Sequence, residues 1–168
     1  TVQTLRAARN EKYVSSLFES LEAAECRAIP RVSDAYPPLL SQIYDPPVTL
    51  YVRGECPLDG EKMFAIVGSR RCTRDGQRAA REIAAHLARE DVTIVSGLAR
   101  GVDTYAHQGA LSVHGKTIAV LGSGPDVIYP PENDQLAEQI LIDGGAILSE
   151  YPPGTKPFSG HFPARNRI

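Results

Sequence analysis

The sequence has no tryptophan, one methionine and only three cysteines, Cys26, Cys56 and Cys72. Three widely spaced cysteines provide neither a disulfide framework nor the paired spacing of a zinc site. A reducing, cytoplasmic setting is therefore expected. No apolar run approaches the roughly 18 residues a membrane helix needs. The first residues, Thr1-Val-Gln-Thr-Leu-Arg6, lack both a methionine and the apolar core of a secretory leader. Excess charge of one sign is also missing. A net charge of −2 over 168 residues argues against a whole-surface polyanion binder.

Several chemical signatures are absent as well. His86, His107, His114 and His161 are scattered, without the i, i+4 pairing of a metal-binding helix, so no metal site is expected. The dinucleotide fingerprint needs three glycines in G-x-G-x-x-G. Gly68-Ser-Arg-Arg-Cys-Thr73 has only the first; Gly122-Ser-Gly124-Pro-Asp-Val127 lacks the third. Pro125 also removes an N–H that a phosphate would use. No G-x-x-x-x-G-K-[ST] occurs, which argues against a P-loop nucleotidase. Ser69, Ser96 and Ser123 are outside the G-x-S-x-G context of a serine hydrolase, and no catalytic residue is assigned.

The chain does contain a regular alternation from residue 63 onward. Apolar runs at Met63–Val67, Val92–Val95, Thr117–Leu121 and Ala146–Leu148 read as buried strands. Amphipathic stretches at 75–89, 102–113 and 133–142 read as helices between them. This order predicts an α/β fold, an extended Rossmann-like parallel sheet with right-handed crossovers. Residues 1–62 read as an N-terminal helical extension and proline-rich lead-in, and 63–168 as the Rossmann-like domain. Within the extension, 1–24 has helical spacing. Paired prolines at 37/38 and 46/47 frame one short helical turn, and Val48–Arg53 is rich in β formers.

Each predicted strand ends in small or polar residues: Gly68-Ser69-Arg70, Ser96-Gly97, Gly122-Ser123-Gly124 and Ser149-Glu150. In a parallel sheet these ends share one rim, where ligands collect. The first turn also carries local charge. Residues 69–81 hold five arginines (70, 71, 74, 78, 81) against one acid, Asp75. A glycine turn before a helix presents free N–H groups, and with Arg70 it reads as a phosphate grip. Arg78 and Arg81 read equally well as a solvated helix face. Asp103 and His107, one turn apart, read as a helix cap or a brace of the rim. Phe158, Phe162, Lys156, Arg165 and Arg167 interleave aromatics with cations, as a nucleic-acid groove does. Loop anchors for the two phenylalanines are the competing reading.

Taken in order, Gly68-Ser-Arg with Thr73 and Gly76, Ser96-Gly-Leu-Ala-Arg-Gly-Val-Asp103, and Gly115-Lys-Thr-Ile-Ala-Val-Leu-Gly122 resemble the DNA-processing protein A (DprA/Smf) family. Tyr129-Pro with Asn133, Ser149-Glu-Tyr-Pro152 and Phe162-Pro-Ala-Arg-Asn-Arg-Ile168 continue the resemblance. It implies a cytoplasmic protein that binds single-stranded DNA and loads the RecA recombinase in natural transformation. It also implies a homodimer and no small-molecule cofactor or enzymatic activity. By position, Gly68, Ser69, Arg70 and Thr73 would grip phosphate. Arg100, Lys116, Phe162, Arg165, Asn166 and Arg167 are the further DNA-binding candidates. Two departures stand out: Asp75 replaces an aromatic, and Pro131-Glu-Asn-Asp-Gln135 is acidic where the family often supplies a lysine. The chain ends in mid-pattern, so the C-terminal part of the domain is expected to be missing. The rival readings are a nucleoside monophosphate glycosidase, with Glu150 as its carboxylate, and a nucleotide sensor.

Overall fold

The computed structural model describes residues 11–55, 58 and 62–168. The front of the expected 1–24 helix and Cys56 lie outside the described residues. Six strands form one sheet: β1 (Cys26–Pro30), β2 (Thr49–Gly54), β3 (Met63–Ala65), β4 (Thr93–Ser96), β5 (Thr117–Leu121) and β6 (Ala146–Ser149). Their spatial order is β1-β2-β6-β5-β4-β3. β3, β4, β5 and β6 are parallel, as the alternating pattern predicts. The connecting helices are α3 (Arg74–Arg89), α4 (Val102–Leu111) and α5 (Asp134–Ile142). Because successive strands step in one direction, right-handed crossovers place all three helices on one face. The first two helices, α1 (Glu11–Ala23) and the single turn α2 (Pro38–Ser41), precede them.

The sheet crosses the boundary read at residue 62. β2 pairs antiparallel with β6, and β1 pairs antiparallel with β2. The lead-in therefore supplies two strands, and the sheet is mixed. β1 was not expected, because Pro30 ends a segment too short and too polar to show a strand period. α1 buries Leu21 but leaves Phe18 exposed, since among the described residues the helix packs chiefly on β1.

Alternation sorts the strand residues between two cores. Ala119, Leu121 and Ile147 face α5, packing with Ala137 and Ile140. Ile118, Val120 and Leu148 face the opposite side, where Tyr36 and Leu40 of the proline-rich segment cover them. Tyr36 is fixed there by its hydroxyl, which donates to the Pro47 carbonyl at 2.8 Å. Each fully buried Leu or Ile side chain contributes about 1.5–3 kcal/mol. Phe64 and Val67, expected in a buried strand, are exposed. β3 is an edge strand with one neighbour, so half of its surroundings are missing.

α3 and α4 approach closely because their contact is built from small residues. A Cβ on Gly109 would lie 2.3 Å from the Arg81 carbonyl oxygen. Ala84, Ala88, Ala106 and Ala110 fill the same seam with Ile94 beneath.

Candidate nucleic-acid interface

The parallel strands bring their carboxyl ends to one rim, and the loop after β3 is its centre. Thr73 caps α3, its hydroxyl accepting from the Gly76 N–H at 3.2 Å. The Ser69 hydroxyl accepts from the Arg71 N–H at 3.1 Å, which closes the preceding turn. Ser69 also ties this loop to the next one, its carbonyl accepting from the Val102 N–H at 3.2 Å. Gly101 sits between at φ +78°, and a Cβ there would meet the Ser69 carbonyl oxygen at 2.2 Å. No side chain fits in that position. The loops carrying Arg70 and Arg100 are thus held in one fixed relation.

Arg70 is exposed, and its guanidinium lies over the Phe162 ring at 5.3 Å. Phe162 tilts against Tyr129, with ring centroids 5.7 Å apart. These three side chains, with Pro157, Ser159, Pro163 and Asn166, line an open cleft of about 530 Å³. Cation, π faces and an amide converge there. Phe162 comes from α6 (His161–Arg165), which is held to the rim by His161 Nδ1 against the Gly122 carbonyl at 3.1 Å. Tyr129 was not singled out as a site residue. The signal for it is an aromatic followed by two prolines in the loop that leaves β5 at the rim, where the prolines restrict the backbone beside the ring.

A buried polar network supports the rim from below. The Arg165 guanidinium is 8% exposed and donates to the carbonyls of Gly97, at 2.9 Å, and Val120. Its Nε donates to Asn166 Oδ1 at 3.2 Å. Asp103, also buried, accepts from the Gly97 N–H at 3.2 Å. Burial raises the Asp103 carboxyl above its ordinary value, against the opposing N–H groups of Ala99, Gly68 and Gly97 and the Arg165 charge. The Gly68 N–H therefore faces a carboxylate of its own protein. Gly68 is also required for packing, since a Cβ would lie 2.8 Å from the Val102 side chain.

His107 lies deeper. Its Nε2 accepts from the Leu98 N–H at 3.3 Å. Nδ1 therefore carries the proton and donates to Thr117 Oγ1 at 2.8 Å, while that hydroxyl donates to the Ile94 carbonyl at 2.7 Å. Complete burial, with the nearby Arg165 charge, lowers the imidazole to about 3. The ring is a neutral brace between β4, α4 and β5.

The structure gathers some of the expected residues and disperses others. Gly68, Arg70, Arg100, Phe162 and Asn166 meet in the clefts of the rim, with Ser69 in the turn that carries Arg70. Arg165 lines the same region but commits its guanidinium to backbone carbonyls. Arg167 is committed too, pairing with both Glu150 oxygens, at 2.9 and 2.5 Å, and with Asp45 at 3.1 Å. It pins the proline-rich segment to β6. Lys116 is not brought to the rim, because it precedes β5 and so lies at the amino end of the strand. Arg78 pairs with Asp75 and Arg81 with Gln108, the solvated helix face of the alternative reading. No group of histidine, cysteine or carboxylate side chains among the described residues has metal-ligand geometry. No helix among them is long and apolar enough to cross a membrane.

Residues 27–168 match the sequence profile described as DNA recombination-mediator protein A. This chain belongs to that family. The chain is 48% identical over 137 residues to the DNA processing protein DprA of Streptococcus pneumoniae, covering 82% of itself and 48% of that protein. It is 52% identical over 139 residues to the protein Smf of Synechocystis, covering 79% of itself and 34% of that relative. Against the protein Smf of Escherichia coli it is 41% identical over 172 residues, covering 98% and 46%. The chain thus spans half or less of these relatives. Among solved structures, it resembles Streptococcus pneumoniae DprA with a TM-score of 0.78 at 41% identity, covering 94% of itself and 53% of that chain. It resembles Helicobacter pylori DprA, studied for its single-stranded DNA binding mode, with a TM-score of 0.75 at 34% identity, covering 84% and 63%. Both structural relatives share the fold described above.

Proposed function

We propose that this chain is the single-stranded DNA-binding core of a recombination mediator that protects incoming DNA and loads RecA during natural transformation, working in the cytoplasm as part of a homodimer. The observation that carries the DNA reading is Arg70 standing over Phe162 beside Tyr129 at the open rim. A backbone phosphate docks on Arg70, whose guanidinium offers two parallel donors to it. Ser69 and the capped start of α3 place further N–H groups close by. An unpaired base then stacks on the adjacent aromatic faces, a contact a paired base cannot make. Most of the affinity is electrostatic and falls with salt. Stacking and phosphate contact are indifferent to base identity, so binding is largely independent of sequence. Arg165 and Arg167 serve as supports that hold the rim and the lead-in segment in place.

The glycosidase reading requires Glu150 to reach a ribose. Its carboxylate is instead held by Arg167 through two hydrogen bonds, which favours the DNA-binding role. Fluorescence anisotropy with a labelled oligothymidylate tests the proposal. Wild-type protein binds, and Arg70→Ala binds more weakly with a shallower salt dependence. Equal binding by the two proteins would remove Arg70 as the grip. RecA loading is tested by order of addition: the full-length protein should let RecA form filaments on strands already coated by single-strand binding protein.

A further inference from the structure

Arg100 and Glu132 face each other across the rim, paired through Arg100 Nε and Glu132 Oε1. Both side chains are about half exposed, 59% and 51%. Arg100 borders a small hollow with Arg70, Tyr129 and Phe162, next to the larger cleft. We propose that Arg100 is a second phosphate grip of this site, and that Glu132 occupies it as a stand-in anion until a strand displaces it. This inference rests on the reading of the rim as a single-stranded DNA site.

Both partners are held on rigid supports. On the Arg100 side, the neighbouring Gly101 and Val102 are docked on Ser69, as described above, and the Thr104 hydroxyl donates to the Ala99 carbonyl at 2.8 Å. Arg100 and Arg70 are therefore presented together. On the Glu132 side, the next residue, Asn133, is buried. Its amide donates to the Leu98 carbonyl and to Thr104 Oγ1, both at 2.9 Å. The acidic loop is thus clamped to the loop that carries Arg100, and the carboxylate is delivered to the guanidinium by the fold.

The chemistry of the pair makes it exchangeable. Only Nε is engaged; among the described residues the terminal nitrogens of Arg100 have no hydrogen-bond partner. A phosphate offers several oxygens in a geometry that suits a two-point contact, which a single carboxylate oxygen does not match. Because the pair is open to water, neither partner must be dragged out of a buried site to exchange. The hydrogen bond to Arg100 holds the Glu132 carboxyl below its ordinary value, so the stand-in stays ionised at neutral pH. In this family member the acidic loop therefore lowers affinity for the strand without removing the cation that binds it.

The test uses anisotropy of a fluorescein-labelled 20-nucleotide oligothymidylate over a potassium chloride series, with wild type, Glu132→Gln, Arg100→Ala and the double variant. Glu132→Gln should bind several-fold tighter with a steeper salt dependence. Arg100→Ala should bind more weakly, its slope shallower by about 0.7, the value of one single-strand phosphate contact. In the Arg100→Ala background, Glu132→Gln should bring no gain. Wild-type binding with no gain from Glu132→Gln would overturn the stand-in role while leaving the DNA site intact. So would a gain that persists undiminished without Arg100, since that reports only bulk charge. Failure of the wild type to bind would instead defeat the site reading itself, and this inference with it.

Discussion

The guanidinium of Arg70 lies 5.3 Å from the centroid of the Phe162 ring, so the proposed phosphate grip and the proposed stacking face occupy one spot. Arg70→Ala should lower affinity for a single strand and reduce the salt slope by about 0.7. Arg70→Lys should recover part of the slope but less of the affinity, because an ammonium neither stacks on a ring nor contacts phosphate at two points. Phe162→Leu keeps an apolar anchor and removes the π face, and should cost about 1–3 kcal/mol of binding per stacked base. An unchanged salt slope in Arg70→Ala would place the phosphate elsewhere.

Gly97 and Arg165 present a second, steric relationship. A Cβ on Gly97 would lie 2.5 Å from Arg165 Nη1. That guanidinium is bonded to two carbonyls, so giving way to the added methyl would break those hydrogen bonds. Gly97→Ala should destabilise the protein by about 1–3 kcal/mol through overpacking, as read by urea unfolding. In an Arg165→Met background the same change should cost less, because the obstructing group is gone. Additive costs in this cycle would mean that Arg165 does not occupy that position.

The parallel half of the sheet was legible because each of its strands is an apolar run bounded by a glycine or serine turn. Thr117–Leu121 was read to the residue, and α3, α4 and α5 within a residue or two. The antiparallel half was harder to see. β2 was visible as a β-rich hexamer, but nothing local indicated that it would pair with β6, about 95 residues later. The roles of the arginines were the least legible part. Arg70, Arg100, Arg165 and Arg167 look alike in sequence, yet two of them face the rim and two are locked to carbonyls or carboxylates. That division depends on where α6 lands, a tertiary fact with no local periodicity. The acidic loop is visible in sequence as a departure from the family pattern, but its pairing with Arg100 depends on the tertiary clamp that Asn133 makes between the two loops.

Arg167 ties two distant segments to its own turn, Glu150 after β6 and Asp45 in the proline-rich lead-in, and also donates to the neighbouring Ala164 carbonyl. Arg167→Ala should therefore loosen the lead-in, at about 1–3 kcal/mol for lost charge-assisted hydrogen bonds. Hydrogen exchange should rise first around residues 36–48. The same pairing predicts no release of free base from nucleoside monophosphates by wild type. Turnover that vanishes in Glu150→Ala would show the carboxylate to be available after all.

His107 makes stability depend on pH in a direction that can be worked out. Burial depresses its value to about 3, against about 6.5 in an unfolded chain. Between these values the unfolded state binds the additional proton. Stability from this group is thus full above about pH 6.5 and is lost progressively as pH falls toward 3. Asp103 acts in the opposite sense: its raised carboxyl favours the fold below its ordinary value near 3.8, and that contribution is lost as pH rises through the folded value. Asp103 is present in both wild type and a His107 variant, so the difference between the two isolates the His107 contribution. His107→Gln keeps a donor and an acceptor without a titrating group. At pH 7.5 it should be less stable than wild type, because Gln meets Leu98 and Thr117 with poorer geometry. As pH falls toward 4.5 the difference in Tm should shrink, since only the wild type must exclude a proton. A constant difference across that range would mean that His107 is not held neutral beneath the rim.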